Sequence, residues 1–155
     1  MFTQDSNVLK KIRQDKRIWQ LVPGIERTPS GRLFATFYSG RCTETLGNYC
    51  VVVMSDDDGK TWSEPICAAY NGQMQRCFDS VLWLDPLGRL WFTWASGHRY
   101  AVYGVICENP DAKELVWSEE FYIGEGVMMN KPTVLSTGEW CFPISIWLRE
   151  MRKIY

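Results

Sequence analysis

No apolar run in this 155-residue chain approaches the ~20 residues needed to span a membrane, so no membrane partner is expected. Lysine and arginine (17) nearly balance aspartate and glutamate (18), and no basic stripe stands out, so nucleic acid is not an expected partner either. The six cysteines, at positions 42, 50, 67, 77, 107 and 141, form no C-x-x-C pair and keep no regular spacing, which argues against a zinc knuckle or a redox motif. Several fall inside apolar runs (Cys50, Cys67, Cys107, Cys141), where cysteine behaves as a small hydrophobe; reduced core thiols are expected rather than a disulfide framework. The opening stretch, MFTQDSNVLKKIRQDKRIW, lacks the apolar centre of a secretory signal. As written, the chain is expected to be cytoplasmic; a signal lost upstream or already removed would make it secreted.

Aromatic residues, in contrast, are plentiful: 14% of the chain, with eight tryptophans. Such usage suits β architecture, where rings pack between sheets, and also sugar-binding surfaces, where flat rings stack on pyranose faces. Residues 1–18 are polar and charged, an N-terminal extension in which the weak apolar stripe of Val8 and Ile12 suits a short helix. From Trp19 to Tyr155, short runs rich in Val, Ile, Phe, Trp and Thr alternate with Gly, Pro, Asp and Ser clusters, the pattern of strands and turns.

These runs repeat. TPSGRLFATFYSG at 28–40 returns as DPLGRLWFTWASG at 85–97 and, more faintly, as LSTGEWCFPISIW at 135–147; the aligned Gly31, Gly88 and Gly138 lie 57 and 50 residues apart. TWSEP at 61–65 has a partner in VWSEE at 116–120. Periods near ~50 residues built of four strands are the mark of β-propeller blades. One blade is expected from strands near 20–27, 32–38, 49–54 and 64–69, and a second from 78–84, 89–95, 101–107 and 117–123. A third begins near 129–135 and 139–147. The expected fold is therefore all-β, a partial propeller of about two and a half four-stranded blades. Propellers close with ~4–8 blades, so closure would need missing blades or oligomerisation, and a fragment of a longer domain is expected.

Three consecutive aspartates, Asp56, Asp57 and Asp58, raise the question of a metal site. An EF-hand loop with Gly59 at its sixth position would place Met54 at the first and Pro65 at the twelfth, and neither can ligate calcium as required. No metal and no cofactor are expected. The stretch instead fits S-x-D-x-G-x-T-W, with Ser55, Asp57, Gly59, Thr61 and Trp62. Asp57 and Ser55 can accept turn N–H groups, Gly59 permits positive φ, and Trp62 can bury its ring against the sheet. In an up-and-down blade this turn, between the third and fourth strands, lies on the face opposite the loops that join strands two and three and that join blades. Asp56 and Asp58 are expected to be solvated turn residues.

That second face collects the candidate chemistry. SGRCTETLGN carries Arg41 and Glu44, SGHRY carries His98, QMQRCFD carries Arg76 and Asp79, and GEGVMMNKP carries Asn130 and Lys131. Cations, carboxylates and aromatics converging on one mouth suit an anionic or hydroxyl-rich sugar. Each has a plainer role: Glu44 as a solvated loop carboxylate, Asp79 as a strand-start cap, Arg41 and Arg76 as surface charges, His98 as a lone histidine, and Lys131 as part of a strand opening. Glu26, in mid-strand near the channel, is expected to pair with Arg27 or a neighbouring blade, or to point at substrate.

The S-x-D-x-G-x-T-W octet resembles the Asp-box of sialidases, and LVPGIERTPSGRL at 21–33 resembles their first-blade segment at Pro23 and at Thr28-Pro29-x-Gly31. RCFDSVLWLDPLGRLW resembles their second-blade segment, with Asp79 at the aspartate that helps form the sugar pocket. Residues 19–147 thus resemble the first half of a bacterial sialidase-like domain with BNR repeats. The resemblance implies a sialidase-type propeller and an exo-acting glycoside hydrolase working on terminal sugars of glycans, inactive as this chain alone. Glu44 and Asp79 would be catalytic, with Arg41, Arg76, His98 and Lys131 binding substrate. It leaves open the alternative of a non-catalytic Asp-box propeller that binds glycan or protein. One departure is sharp: the family's first clamp arginine is replaced by Leu21, which cannot make bidentate contacts to a sugar carboxylate. The family's Tyr/Glu nucleophile pair would lie beyond residue 155.

Overall fold

The computed structural model of the chain describes residues 1–13, 17–97 and 100–146. The chain is all-β, built from antiparallel sheets of which none is closed. It starts with β1 (Phe2–Thr3), a single turn of helix α1 (Ser6–Leu9) and a 3-10 turn (Lys10–Ile12). Then β2 (Leu21–Arg27), β3 (Leu33–Ser39), β4 (Tyr49–Ser55) and β5 (Cys67–Ala69) pair in chain order as a meander. A second meander follows, of β6 (Cys77–Leu84), β7 (Leu90–Ser96), β8 (Ala101–Cys107) and β9 (Phe121–Glu125). A two-stranded ladder of β10 (Thr133–Val134) and β11 (Trp140–Cys141) comes last. No helix among the described residues is long and apolar enough to cross a membrane.

Burial explains the sequence of each strand. β3 and β4 are covered on both faces and read as nearly continuous apolar runs, LFATFYS and YCVVVMS. β2 forms a sheet edge and alternates exposed with half-buried residues, which is where Pro23 is tolerated: it has no N–H for a ladder and sits at a bulge. The fourth strand of each meander starts later than its sequence suggests. Before β5, only Ser63 and Ile66 donate single ladder bonds, to Met54 and Val52, across the interruption at Pro65. Before β9, Trp117 makes one isolated bridge to Cys107 and Ser118 N donates to the carbonyl of Ile106.

The three repeats fold into the same hairpin turn. In each, the first residue's N–H donates to the carbonyl four residues on, and the glycine's N–H donates back. The pairs are Thr28 with Arg32 and Gly31, Asp85 with Arg89 and Gly88, and Leu135 with Glu139 and Gly138. All three glycines take positive φ (98°, 79° and 88°), which explains their recurrence.

The sheets stack face to face, with β6 laid against β2, β3 and β4. Phe34, Tyr38 and Val52 from the first sheet meet Phe78, Leu82, Phe92 and Trp94 from the second in one core. Each such side chain contributes roughly 1.5–3 kcal/mol on full burial. The first sheet's other face (Phe37, Tyr49, Val51, Val53) is covered by Leu9 and Ile12 from the helical turns. The second sheet's other face (Val81, Val102) is covered by Met128, Phe142 and Ile144. β1 pairs with the outer edge of β5, and Phe2 packs its ring against Trp94 and Trp117, so the N-terminal residues also contribute a strand. All six cysteines are free; Cys50, Cys67, Cys77 and Cys107 are buried, whereas Cys141, expected inside, is exposed on the short β11 beside Cys42 in its exposure.

Strand direction separates two ends. Leu33 pairs with both Arg27 and Ser55, so the 28–32 turn and the 56–66 turn lie together. Ser39 pairs with Tyr49 and Ser96 with Cys77 and Ala101, which puts the 40–48 loop, the 70–76 connection and the junction of β7 with β8 at the other end.

Candidate functional site

The Asp-box end is held by its own hydrogen bonds. Asp57 accepts from Ser55 Oγ (2.7 Å), Thr61 N (2.9 Å) and Thr61 Oγ1 (2.6 Å), while Ser55 Oγ accepts from Gly59 N (3.0 Å). The Thr61 hydrogen bonds, ahead of the bond from Ser55, hold the Asp57 carboxyl down at about 2. Both carboxylate oxygens of Asp57 are thus engaged inside the turn. The flanking carboxylates are less idle than expected: Asp56 pairs with Arg32 (2.6 Å) and Asp58 with Arg27 (3.6 Å). Trp62 stays 41% exposed rather than buried, because its turn extends past the sheet end and its ring edge lies beside Gly59.

At the opposite end, four side chains meet. Tyr38, at the end of β3, donates its hydroxyl to Glu44 Oε1. Arg76 brings Nη1 to 3.5 Å from Glu44 Oε2 and lays its guanidinium 3.9 Å above the ring of Phe78. Asp79 follows one residue later and feels the charges of both Arg76 and Glu44. The loop that carries Glu44 is shaped by Asn48, which is buried: its Oδ1 accepts from Thr45 N (2.8 Å), its Nδ2 donates to Thr43 O (3.3 Å), and its carbonyl accepts from Cys77 N (2.9 Å). Gly47 N donates to Gln75 O, so the loop is fastened to the segment that carries Arg76. Tyr38 is steadied by an edge-on contact with Trp19, at 5.6 Å between centroids.

Asp79 is the most unusual residue of the group. It is 6% exposed, has φ of +49°, and sits where the β6–β7 register slips between Phe78 and Val81. Its carboxylate accepts no hydrogen bond from the described residues. Burial pushes its pKa up; Arg76 pulls it down in part, and Glu44 pushes it further up. The Tyr38 hydroxyl is likewise pushed up, first by burial and then by its bond to Glu44. The bulge has a counterpart one repeat earlier. Val22, 57 residues before Asp79, has φ of +46° where the β2–β3 register slips between Leu21 and Gly24. A β-branched residue at positive φ is a genuine outlier, and strained bulges gather where a strand must aim a side chain.

Of the residues expected at the mouth, Glu44, Arg76 and Asp79 are brought together. Arg41 lies exposed on the same loop without joining them. His98 falls outside the described residues. Lys131 is drawn elsewhere, to an ion pair with Glu26 and a 3.0 Å bond to the carbonyl of Ile25. Glu26 therefore pairs with a neighbouring segment, not with Arg27, which binds Asp58. Tyr38 is the member of this cluster that sequence reasoning missed. One signal was available: in the 57-residue repeat it stands opposite Ala95, so a hydroxyl occupies in one copy a position that is small in the next. No protein-family model matches the chain, and comparison with curated proteins finds no match.

Proposed function

We propose that the two meanders and the β10–β11 hairpin are successive blades of a sialidase-type β-propeller. Its strand-end cluster hydrolyses the bond to the terminal sugar of a glycan. Three hairpin turns with the same hydrogen bonds at the repeat spacing, and first strands packed side by side, support the blade reading. Closure into a ring takes further blades, from other copies or from other chain.

The observation that carries the enzymatic reading is Asp79: a buried carboxyl with raised pKa and no described hydrogen-bond partner, beside a second carboxylate that is already engaged. Two carboxyls in unlike environments divide the work of glycoside cleavage. Asp79 retains its proton to higher pH and delivers it to the leaving oxygen. Glu44, ion-paired with Arg76 and hydrogen-bonded by Tyr38, turns its carboxylate toward the positive charge developing on the sugar ring. A water molecule adds to the anomeric carbon as the bond to the leaving oxygen breaks, and the proton it releases returns to Asp79. The deciding experiment assays the ring-closed assembly, this chain completed by the further blades, on a panel of neutral and acidic aryl glycosides. Turnover is expected, with kcat lowered roughly 10²–10⁴-fold in Asp79→Asn. No turnover on any sugar would remove the hydrolase reading. Glycan binding that persists and depends on Arg76 would then identify a binding propeller.

A further inference from the structure

Beside the cluster, between the first strands β2 and β6 and the segment at 129–131, lies a cavity of about 470 Å³, within the size range of small-molecule sites. Ser80, the residue after Asp79 in β6, lines it. Its walls from Val22, Pro23, Ile25 and Leu82 are apolar, and Lys131 and Asn130 stand at one side. Glu26 bonds Lys131 through Oε1 only, and its Oε2 accepts nothing from the described residues. Lys131 spends two of its three N–H donors, on Glu26 and Ile25 O. The Asn130 amide is exposed and makes no hydrogen bond to the described residues.

We infer that this cavity is the subsite for the terminal sugar, and that Lys131 and Asn130 bind its hydroxyls, with Glu26 holding the Lys131 ammonium in position. The inference rests on the glycosidase reading of Asp79 and adds the chemical class of the ligand. A spare ammonium N–H on Lys131 and the Asn130 amide, which both donates and accepts, suit neighbouring hydroxyls, each of which donates and accepts. The apolar walls suit the C–H face of the ring. Glu26 and Lys131 cancel each other's charge, so the subsite offers no net cation to a carboxylate, and Leu21 at the start of β2 offers none either. The ligand is therefore a neutral hydroxylated ring, not an acidic sugar.

The test compares the wild-type ring-closed assembly with its Lys131→Met, Glu26→Gln and Asn130→Ala variants on neutral aryl pyranosides and on aryl sialosides. It is paired with saturation-transfer NMR of free neutral monosaccharides. Neutral pyranosides should be preferred, and each variant should raise KM by roughly 10- to 100-fold, the effect of removing a hydrogen bond to a charged or polar ligand-binding group. The variants should change kcat little, and the pH profile set by Asp79 should not move. Asn130→Ala breaks no described hydrogen bond, so it reports on binding even if the ion-pair variants unfold. Turnover with KM unchanged in Asn130→Ala and Lys131→Met would overturn the subsite and leave the hydrolase reading standing. Monosaccharide binding lost in those variants, without turnover by wild type, would do the reverse. Neither binding nor turnover would overturn both, and a preference for sialosides would overturn the neutral-ligand assignment.

Discussion

At the scale of single residues, two buried aspartates have opposite tasks. Asp85 is a fully satisfied acceptor: it takes hydrogen bonds from Leu87 N (2.9 Å), Arg89 N (3.0 Å), Arg89 Nε (2.7 Å) and Trp91 Nε1 (2.8 Å). Burial alone would raise its pKa, but the bonds from Trp91 and Arg89 outweigh it and hold the carboxyl below 3.8. Asp85→Ala strands the indole N–H of Trp91 and removes the nearer carboxylate of the partly exposed Arg89, which keeps Glu108, and should lower unfolding free energy by about 2–4 kcal/mol in urea titrations. A depressed pKa stabilises the fold above the unfolded value and stops doing so as pH falls through the folded one. Wild-type stability should therefore fall below about pH 4, and Asp57 should keep contributing down to about 2. Asp57→Asn should shrink the loss seen between those limits. Asp79 has the reverse sign: its raised pKa favours the folded state at low pH and disfavours it as pH rises through the folded value. Asp79→Asn cannot ionise, and asparagine tolerates positive φ. It should thus melt at or above the wild-type temperature at pH 7.5 while losing activity. A lower melting temperature at that pH would show that the Asp79 charge is paired in the native state.

At the scale of elements, the turns that the repeat makes predictable are also the fasteners between sheets. Arg32, in the first repeat's turn, donates to Asp56 (2.6 Å) in the Asp-box and to the carbonyls of Pro110 (3.0 Å) and Ala112 (2.7 Å) in the loop after β8. Ser30 adds a 2.6 Å bond to Asp111. One guanidinium thereby ties three connections from two sheets, with its side chain 14% exposed. Arg32→Ala should lower stability by about 2–3 kcal/mol. Arg32→Lys should recover only part of it, since an ammonium cannot cover the same fork of acceptors. Equal stability of Arg32→Ala and wild type in urea would show that the latch is not needed. The Asp-box thus helps hold the sheets together at the end away from Asp79, a role its three carboxylates divide between the turn and the neighbouring arginines.

At the scale of the whole molecule, the shared core between the stacked sheets predicts joint unfolding. Phe34 and Tyr38 cannot lose their packing without exposing Phe78 and Phe92, so far-UV circular dichroism and tryptophan fluorescence should report coincident transitions. Two separated transitions would show that each sheet is stable alone. The last hairpin is a different unit. β10 and β11 pair over two residues each, and the hairpin is held by Trp140 and Phe142 against Trp83 and Trp91. Trp140→Ala should speed hydrogen exchange at 133–141 while leaving the sheets protected.

The strands and turns could be read along the chain because their causes are local. Nearly continuous apolar runs mark β3 and β7, and glycine at positive φ marks the three matching turns. The eight octet residues from Ser55 to Trp62 enclose Asp57 by contacts no more than a few positions apart, so that turn too was readable, though not the exposure of Trp62. The site was readable only in part. Glu44, Arg76 and Asp79 were suggested by the loops that hold them, but the Tyr38 bond to Glu44 depended on how the 40–48 loop folds over Asn48. The left-handed bulges at Val22 and Asp79 depended on register against the next strand. The sequence by itself determined the all-β meanders, since strand period and turn chemistry act over a few residues. Only the tertiary structure decided that Lys131 meets Ile25 and Glu26, over 106 positions from Ile25, and that Asp79 is buried beside Glu44. Those outcomes follow from the stacking of one sheet on another, and burial is what turns an ordinary carboxyl into one that holds its proton.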